Sequence, residues 1–188
     1  MASIRPMRIV SGSFKGKRIV APGKLPVRPT TDFAKESLFN ILNNHYHFGG
    51  LRVLDLFSGT GNIAYEFASR GAESILCIDA HMECIKFINK TSKELEMPIE
   101  TIKSDVKKFL SKASGSYDII FADPPYDFSQ EDLNTIPSQV FEQKLLKPGG
   151  CLIVEHSKKI SLADVPDFSE ERNYGNATFS FFFKEQDS

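Results

Sequence analysis

Asp123, Pro124, Pro125 and Tyr126 come directly after the apolar run Ile119-Ile120-Phe121-Ala122. Together they offer a carboxylate, backbone carbonyls and an aromatic ring, a set suited to activating an amine. An exocyclic amine on a nucleobase is a poor nucleophile because its lone pair is delocalised into the ring. Acceptors that take its N–H bonds, and a surface that holds the base in line, free that lone pair for attack on a methyl group. Asp123 and the Pro124 carbonyl are the candidate acceptors, and Tyr126 is the candidate stacking group. Asp123 is also a candidate to receive the proton. Pro124 and Pro125 lack N–H donors and bias the preceding residue away from helical dihedrals, so a strand must stop here in a stiff loop. The plainer alternative is a rigid surface turn.

A second constellation is Asp55-Leu56-Phe57-Ser58-Gly59-Thr60-Gly61-Asn62. Glycines two apart allow a sharp turn and close backbone approach to a ligand, and the helix that follows presents free N–H groups. Asp79 stands 20 residues after Gly59, where a carboxylate can accept both ribose hydroxyls of an adenosine. Asp105 is a candidate acceptor for the adenine amine, or a plain helix N-cap, or both. NAD and S-adenosylmethionine enzymes share this layout. Asp55 tips the choice: a dinucleotide brings anionic phosphates, whereas S-adenosylmethionine brings a sulfonium and an ammonium that favour carboxylates.

These groups need strands to present them. Ile119 to Phe121 read as a strand buried on both faces. Strands are likewise expected over 52–57, 74–79, 100–103 and 151–155, alternating with helices over 62–70, 81–95 and a short one after Asp105. Gly71 sits where a left-handed C-cap belongs. A further helical region, 130–146, contains Pro137 and is expected to split in two. Lys147-Pro148-Gly149-Gly150 reads as a turn. Residues 168–174 and 177–184, joined by Gly175-Asn176, read as an antiparallel hairpin. The alternation implies an α/β fold with a doubly wound, mostly parallel sheet. Ahead of it, residues 7–21 read as a small β-hairpin, a Pro-rich connector follows, and Thr30-Thr31-Asp32 opens a helix. The expected organisation is a basic extension and hairpin over 1–28 and a Rossmann-like domain over 29–188.

The chain has 188 residues, 41% of them hydrophobic and 25% charged, enough for one cored domain. No apolar run approaches the roughly 20 residues of a membrane span, and no signal-peptide pattern is visible, so a cytoplasmic protein without a membrane partner is expected. Cys77, Cys84 and Cys151 read as small buried hydrophobes. His45, His47, His81 and His156 do not form a ligand spacing, and no metal is expected. The net charge of −1 conceals an asymmetry: residues 1–28 hold seven cations and no acid, so the remainder carries −8. A basic arm on an acidic body points to a polyanion met from one side, with an ordinary solvated segment as the alternative.

Asp123-Pro124-Pro125-Tyr126 with Val53-Leu54-Asp55-Leu56-Phe57-Ser58-Gly59-Thr60-Gly61 resembles the amino-group methyltransferases. The stretches Arg8-Ile9-Val10-Ser11-Gly12, Lys15-Gly16-Lys17, Arg28-Pro29-Thr30-Thr31-Asp32, Glu36-Ser37-Leu38-Phe39-Asn40-Ile41-Leu42 and Ser69-Arg70-Gly71-Ala72 resemble, more specifically, the bacterial 16S ribosomal RNA guanine-N2 methyltransferases of the RsmD family. That resemblance implies a seven-stranded class I methyltransferase sheet and S-adenosyl-L-methionine as donor. It also implies a guanine N2 in 16S rRNA as acceptor, with the assembled small ribosomal subunit as partner, and a protein acting as a monomer. It puts Asp123, Pro124, Pro125 and Tyr126 at the amine, and Asp55, Phe57, Gly59, Gly61, Asp79, Ala80, Asp105 and Val106 at the cofactor. Arg8, Lys15, Lys17, Arg18, Arg28, Thr30 and Lys35 form the expected RNA-facing set. Asn62 and Tyr65 depart from the family pattern, and are expected to affect local packing only.

Three rival readings remain at this level. An adenine-N6 DNA methyltransferase shares the tetrapeptide chemistry but usually carries a separate base-reading domain. An NAD-dependent oxidoreductase would leave the two prolines without a purpose. A non-catalytic RNA-binding assembly factor would have no need of Asp123.

Overall fold

A computed structural model describes residues 6–25, 27 and 30–187. Strands β1 (Met7–Arg8) and β2 (Arg18–Ile19) pair antiparallel as the expected hairpin, and helix α1 (Asp32–His45) follows. Thr31 caps α1, its side chain accepting from the Ala34 amide at 3.2 Å. Then come β3 (Arg52–Leu56), α2 (Asn62–Ser69), β4 (Ser74–Asp79), α3 (Met82–Glu94), β5 (Ile99–Lys103), α4 (Val106–Leu110) and β6 (Tyr117–Ala122). The chain closes with α5 (Gln130–Glu142), β7 (Leu146–Ser157), β8 (Glu170–Tyr174) and β9 (Ala177–Phe183).

The main sheet has seven strands in the order β5-β4-β3-β6-β7-β9-β8, with β9 antiparallel to both of its neighbours and the other strands parallel. This is the class I, Rossmann-like methyltransferase architecture that the resemblance implied. Successive strand residues alternate between two cores. Val53, Cys77, Phe121 and Ile153 join the core that also holds Leu38, Phe39 and Phe67. Leu54, Leu56, Ile120 and Val154 join the one that holds Leu133, Ile136 and Val140 of α5. Burial on both faces explains why these strands read as nearly continuous apolar runs. After β3 the chain builds outward through β4 and β5, then crosses back to lay β6 on the other side. The C-terminal ends of β3 and β6 therefore flank the switch point at which such sheets bind ligands.

Two expectations are corrected. Pro137 does not split its helix: α5 is continuous, with Pro137 buried beside Leu133, Ile136 and Val140. That apolar face is held against the sheet on both sides of the proline, and a Ser129–Asp132 capping box secures the first turn. The Lys147–Gly150 turn, for its part, lies inside β7. The register jumps from Tyr117 opposite Leu146 to Ile119 opposite Cys151, so the turn is an irregularity in one long strand. Gly149, at φ 74, makes it possible and donates its amide to the Lys184 carbonyl at 3.0 Å.

The N-terminal hairpin shares the core of the main body, with Met7, Ile9 and Ile19 buried in the cluster around α1 and α2. Its backbone is bolted to α2. The fully buried Glu66 carboxylate accepts from the Val10 and Ser11 amides at 2.9 and 3.0 Å, and the Ser69 hydroxyl donates to the Ser11 carbonyl at 2.6 Å. Gly12 is obligatory here, because a Cβ would lie 1.8 Å from the Ser69 carbonyl oxygen. Among the described residues no helix is long and apolar enough to cross a membrane.

Candidate active site

A cavity of about 400 Å³ opens at the switch point. Strand β3 brings Asp55 to it, β4 brings Asp79, the cap of α4 brings Asp105, and the loop after β6 brings Asp123. Among the described residues the lining includes these four carboxylates and neither lysine nor arginine. A cation is favoured here over a phosphate.

Asp55 is 1% exposed, and its Oδ2 atom makes no hydrogen bond. Burial pushes its carboxyl well above the ordinary carboxylate range, and the Asp79 charge pushes it further. A buried polar atom without a partner is costly. An ammonium group from a ligand would relieve that cost and restore the charge. Asp79 differs, because Oδ2 accepts from the Gly59 amide at 2.8 Å and Oδ1 from the His81 amide at 2.8 Å. It therefore ties the glycine loop to the end of β4, the His81 ring Nδ1 also stands 3.1 Å from Oδ1, and the residue lines the cavity. Asp105 caps α4, accepting from the Lys108 amide at 2.9 Å, and lines the cavity as well.

Phe57, Ala80 and Val106 also line the cavity. Phe57 has φ 59, unfavourable for a residue with a large side chain, and this ends β3 one residue before the expected boundary. Its ring meets Phe128 edge to face at 5.4 Å, a contact that offsets part of the strain. Gly59 lines the cavity; Gly61 does not. Gly61 is glycine because φ is 87 and a Cβ would stand 2.8 Å from the Tyr65 ring.

The loop of Asp123, Pro124, Pro125 and Tyr126 forms one wall. The Asp123 amide donates to the Leu56 carbonyl at 3.4 Å, so β3 and β6 stay paired up to the acid. The Pro125 carbonyl accepts from the Phe128 amide at 3.1 Å, which fixes the turn, and the Tyr126 ring stands 53% exposed at the mouth.

Of the residues expected to face RNA, Arg8, Lys15, Lys17 and Arg18 are exposed. Arg28 lies outside the described residues. Thr30 lines the cavity, and its hydroxyl donates to Glu155 at 3.3 Å. Lys35 requires a correction, since it is 1% exposed and cannot meet RNA. Its ammonium is paired with Glu66 at 3.3 Å and donates to Asn62 Oδ1 at 2.9 Å, and burial lowers its pKa. Asn62, expected to matter only for packing, lines the cavity and donates to the Thr30 carbonyl at 3.3 Å. Its place at the first turn after the glycine loop was the available signal. His81 and Phe128 also line the cavity and were missed, although His81 directly follows Asp79 and Ala80.

Comparison with known proteins places the chain in a family. A family model described as conserved hypothetical protein 95 matches residues 7–183. The chain is 32% identical over 163 residues to the putative rRNA methyltransferase YlbH of Bacillus subtilis, covering 84% of this chain and 86% of the relative. It is 36% identical over 166 residues to the ribosomal RNA small subunit methyltransferase D of Buchnera aphidicola, covering 88% and 83%. Among solved structures, the putative methyltransferase yhhF of Escherichia coli superposes with a TM-score of 0.82 at 25% identity, covering 97% of this chain and all of the other. The chain therefore belongs to the conserved hypothetical protein 95 family, the RsmD family that its tetrapeptide, glycine loop and N-terminal motifs resemble.

Proposed function

We propose that this protein is an S-adenosyl-L-methionine-dependent methyltransferase acting on the exocyclic N2 of a guanine in small-subunit ribosomal RNA, within an assembled particle. The observation that carries the reading is the acid-lined cavity, with the unpartnered Asp55 Oδ2 inside it and Asp123-Pro124-Pro125-Tyr126 as its wall. The RNA class is supported by the names of the relatives above, and the guanine N2 by the resemblance of the N-terminal motifs.

In this reading Asp55 takes the ammonium of the methionine end, Asp79 the ribose hydroxyls and Asp105 the adenine amine, while Phe57, Ala80 and Val106 close around the apolar surface. When bound, S-adenosyl-L-methionine supplies a methyl group on a sulfonium; transfer forms an N–CH3 bond, breaks the S–CH3 bond and releases one amine proton. Asp123 and the Pro124 carbonyl accept the two N–H bonds of the guanine amine, and Tyr126 stacks on the base. Guanine N2 is engaged in pairing inside a helix, so the target base must be unpaired or extruded, which costs a few kcal/mol.

The test uses small subunits from cells lacking the protein, incubated with labelled S-adenosyl-L-methionine and analysed as RNA fragments by mass spectrometry. One N2-methylguanosine is expected. Asp123→Asn should slow turnover by about 100-fold or more, the usual loss for a transition-state acceptor, and change S-adenosylhomocysteine affinity only several-fold. Label in duplex DNA instead, or in no guanosine at all, would refute the proposal.

A further inference from the structure

Among the described residues, the large apolar side chains that stand exposed are Val20, Phe33, Met82, Ile102 and Tyr126. Tyr126 lines the cavity, Met82 opens α3 just after the lining residues Ala80 and His81, and Ile102 precedes Lys103, which pairs with Asp79 at the end of β4. Val20 follows Ile19, whose partner Met7 accepts from the Thr60 hydroxyl of the glycine loop. Phe33 stands in the first turn of α1, three residues after the lining residue Thr30. Of the five, Tyr126 lines the cavity itself, and Met82 and Phe33 stand within three residues of lining positions in the chain.

Phe33 is the most exposed of them, at 65%. Its ring is braced edge to face by Tyr174 at 6.1 Å. Tyr174 ends β8, whose turn back into β9 lies beside the C-terminal end of β7, so the brace reaches the same rim from the far side of the sheet. Next to Phe33, Asp32 pairs with the half-exposed Arg8 at 3.4 Å. The result is an aromatic ring braced from one side, adjoining the Asp32–Arg8 ion pair and three residues along the chain from the lining residue Thr30. Aromatic rings interleaved with basic groups suit an unpaired nucleic-acid strand, because every base has a face to stack and every linkage a negative charge.

We propose that Phe33, braced by Tyr174 and flanked by Arg8, is a stacking shelf for an unpaired nucleobase adjacent in the RNA to the methylated one. The inference rests on the methyltransferase reading above and adds a second base-binding position to it. The shelf holds the strand by a neighbour while the target base enters the cavity.

The test measures binding of the S-adenosylhomocysteine-loaded protein to two short single-stranded oligoribonucleotides that contain one guanine. In one the guanine is flanked by 2-aminopurine, whose fluorescence is quenched by stacking; in the other the flanking positions are abasic. Wild type should bind the base-containing strand about tenfold more tightly, the order expected for one stacked base, and quench it. Phe33→Ala should bind both strands alike, and Phe33→Trp should retain the difference. The side chain is exposed, so thermal unfolding of both variants should match wild type. Equal binding of the two strands by wild type, or a preference that survives in Phe33→Ala, overturns the shelf. So does a Phe33→Ala defect confined to small subunits with oligonucleotide binding intact, which would mark a contact to ribosomal protein. Methylation of small subunits by wild type is scored separately: its presence with no flanking-base preference sinks only the shelf, and its absence sinks the methyltransferase reading.

Discussion

Asp55 and Asp79 differ by what their neighbours give them. Asp79 receives two amide donors, whereas Asp55 is buried with an oxygen that receives none. The raised carboxyl of Asp55 has a consequence for pH. Its folded-state pKa lies above the unfolded one, so its contribution to stability is full below the unfolded value and is lost as pH rises through the folded value. A ligand ammonium reverses the preference by favouring the charged carboxylate. Affinity for S-adenosylhomocysteine should therefore rise with pH across the range in which free Asp55 titrates, by up to about tenfold per unit, since binding releases one proton. Calorimetry over a pH series, in buffers of different ionisation enthalpy, checks both the slope and the released proton. Asp55→Asn should bind more weakly and lose the slope; a slope unchanged in that variant would remove Asp55 from the ammonium site.

The β1–β2 hairpin, α1 and α2 meet around a buried ionic knot. Lys35 and Arg70 both pair with Glu66, which also takes two hairpin amides, and Lys35 donates to the Arg8 carbonyl and to Asn62. Removing one member of a buried pair leaves an uncompensated charge. Lys35→Met should cost about 3 kcal/mol in urea-induced unfolding, less than the upper end of the 3–5 range because Arg70 still faces Glu66. A loss under about 1 kcal/mol would mean the knot contributes little net stability. This knot also shows where the sequence stops being legible. Strand and helix order followed from continuous apolar runs and period-3.6 patterns, which are local, and the acids at strand ends were found because a strand's end is a local signal too. Lys35 and Glu66 lie 31 residues apart on different helices, and no local pattern pairs them, so Lys35 read as an RNA-facing cation. Asn62 escaped for a related reason: its role depends on Lys35 and Thr30 arriving from elsewhere. Pro137 failed in the opposite sense, a strong local rule overridden by a helix face buried along its whole length.

At the scale of the whole molecule the charges are divided. The cavity is lined by four carboxylates, residues 29–188 carry −8, and four exposed cations, Arg8, Lys15, Lys17 and Arg18, stand together on the hairpin. An RNA strand meeting the acidic body alone would be repelled, so the hairpin must supply the attraction. It is held rigidly enough to do so at a fixed distance from the site. Its two strands are tied by Met7 to Thr60 of the glycine loop at one end and by Ser11 and Ser13 to Ser69 of α2 at the other. Each cation that meets a phosphate releases a counterion, worth roughly 0.7 in the log–log salt slope for single-stranded RNA. Four such contacts predict a slope of about −2.8 for binding to an unpaired rRNA fragment. Replacing Arg8, Lys15, Lys17 and Arg18 together by glutamine should bring the slope close to zero and weaken binding most at low salt. S-adenosylhomocysteine affinity should stay unchanged, because none of the four lines the cavity. Filter binding between 50 and 200 mM salt spans the range in which such contacts are read. A slope that persists in the fourfold variant would mean that RNA is held by another face, and the hairpin would then be a packing element of the α1–α2 core alone.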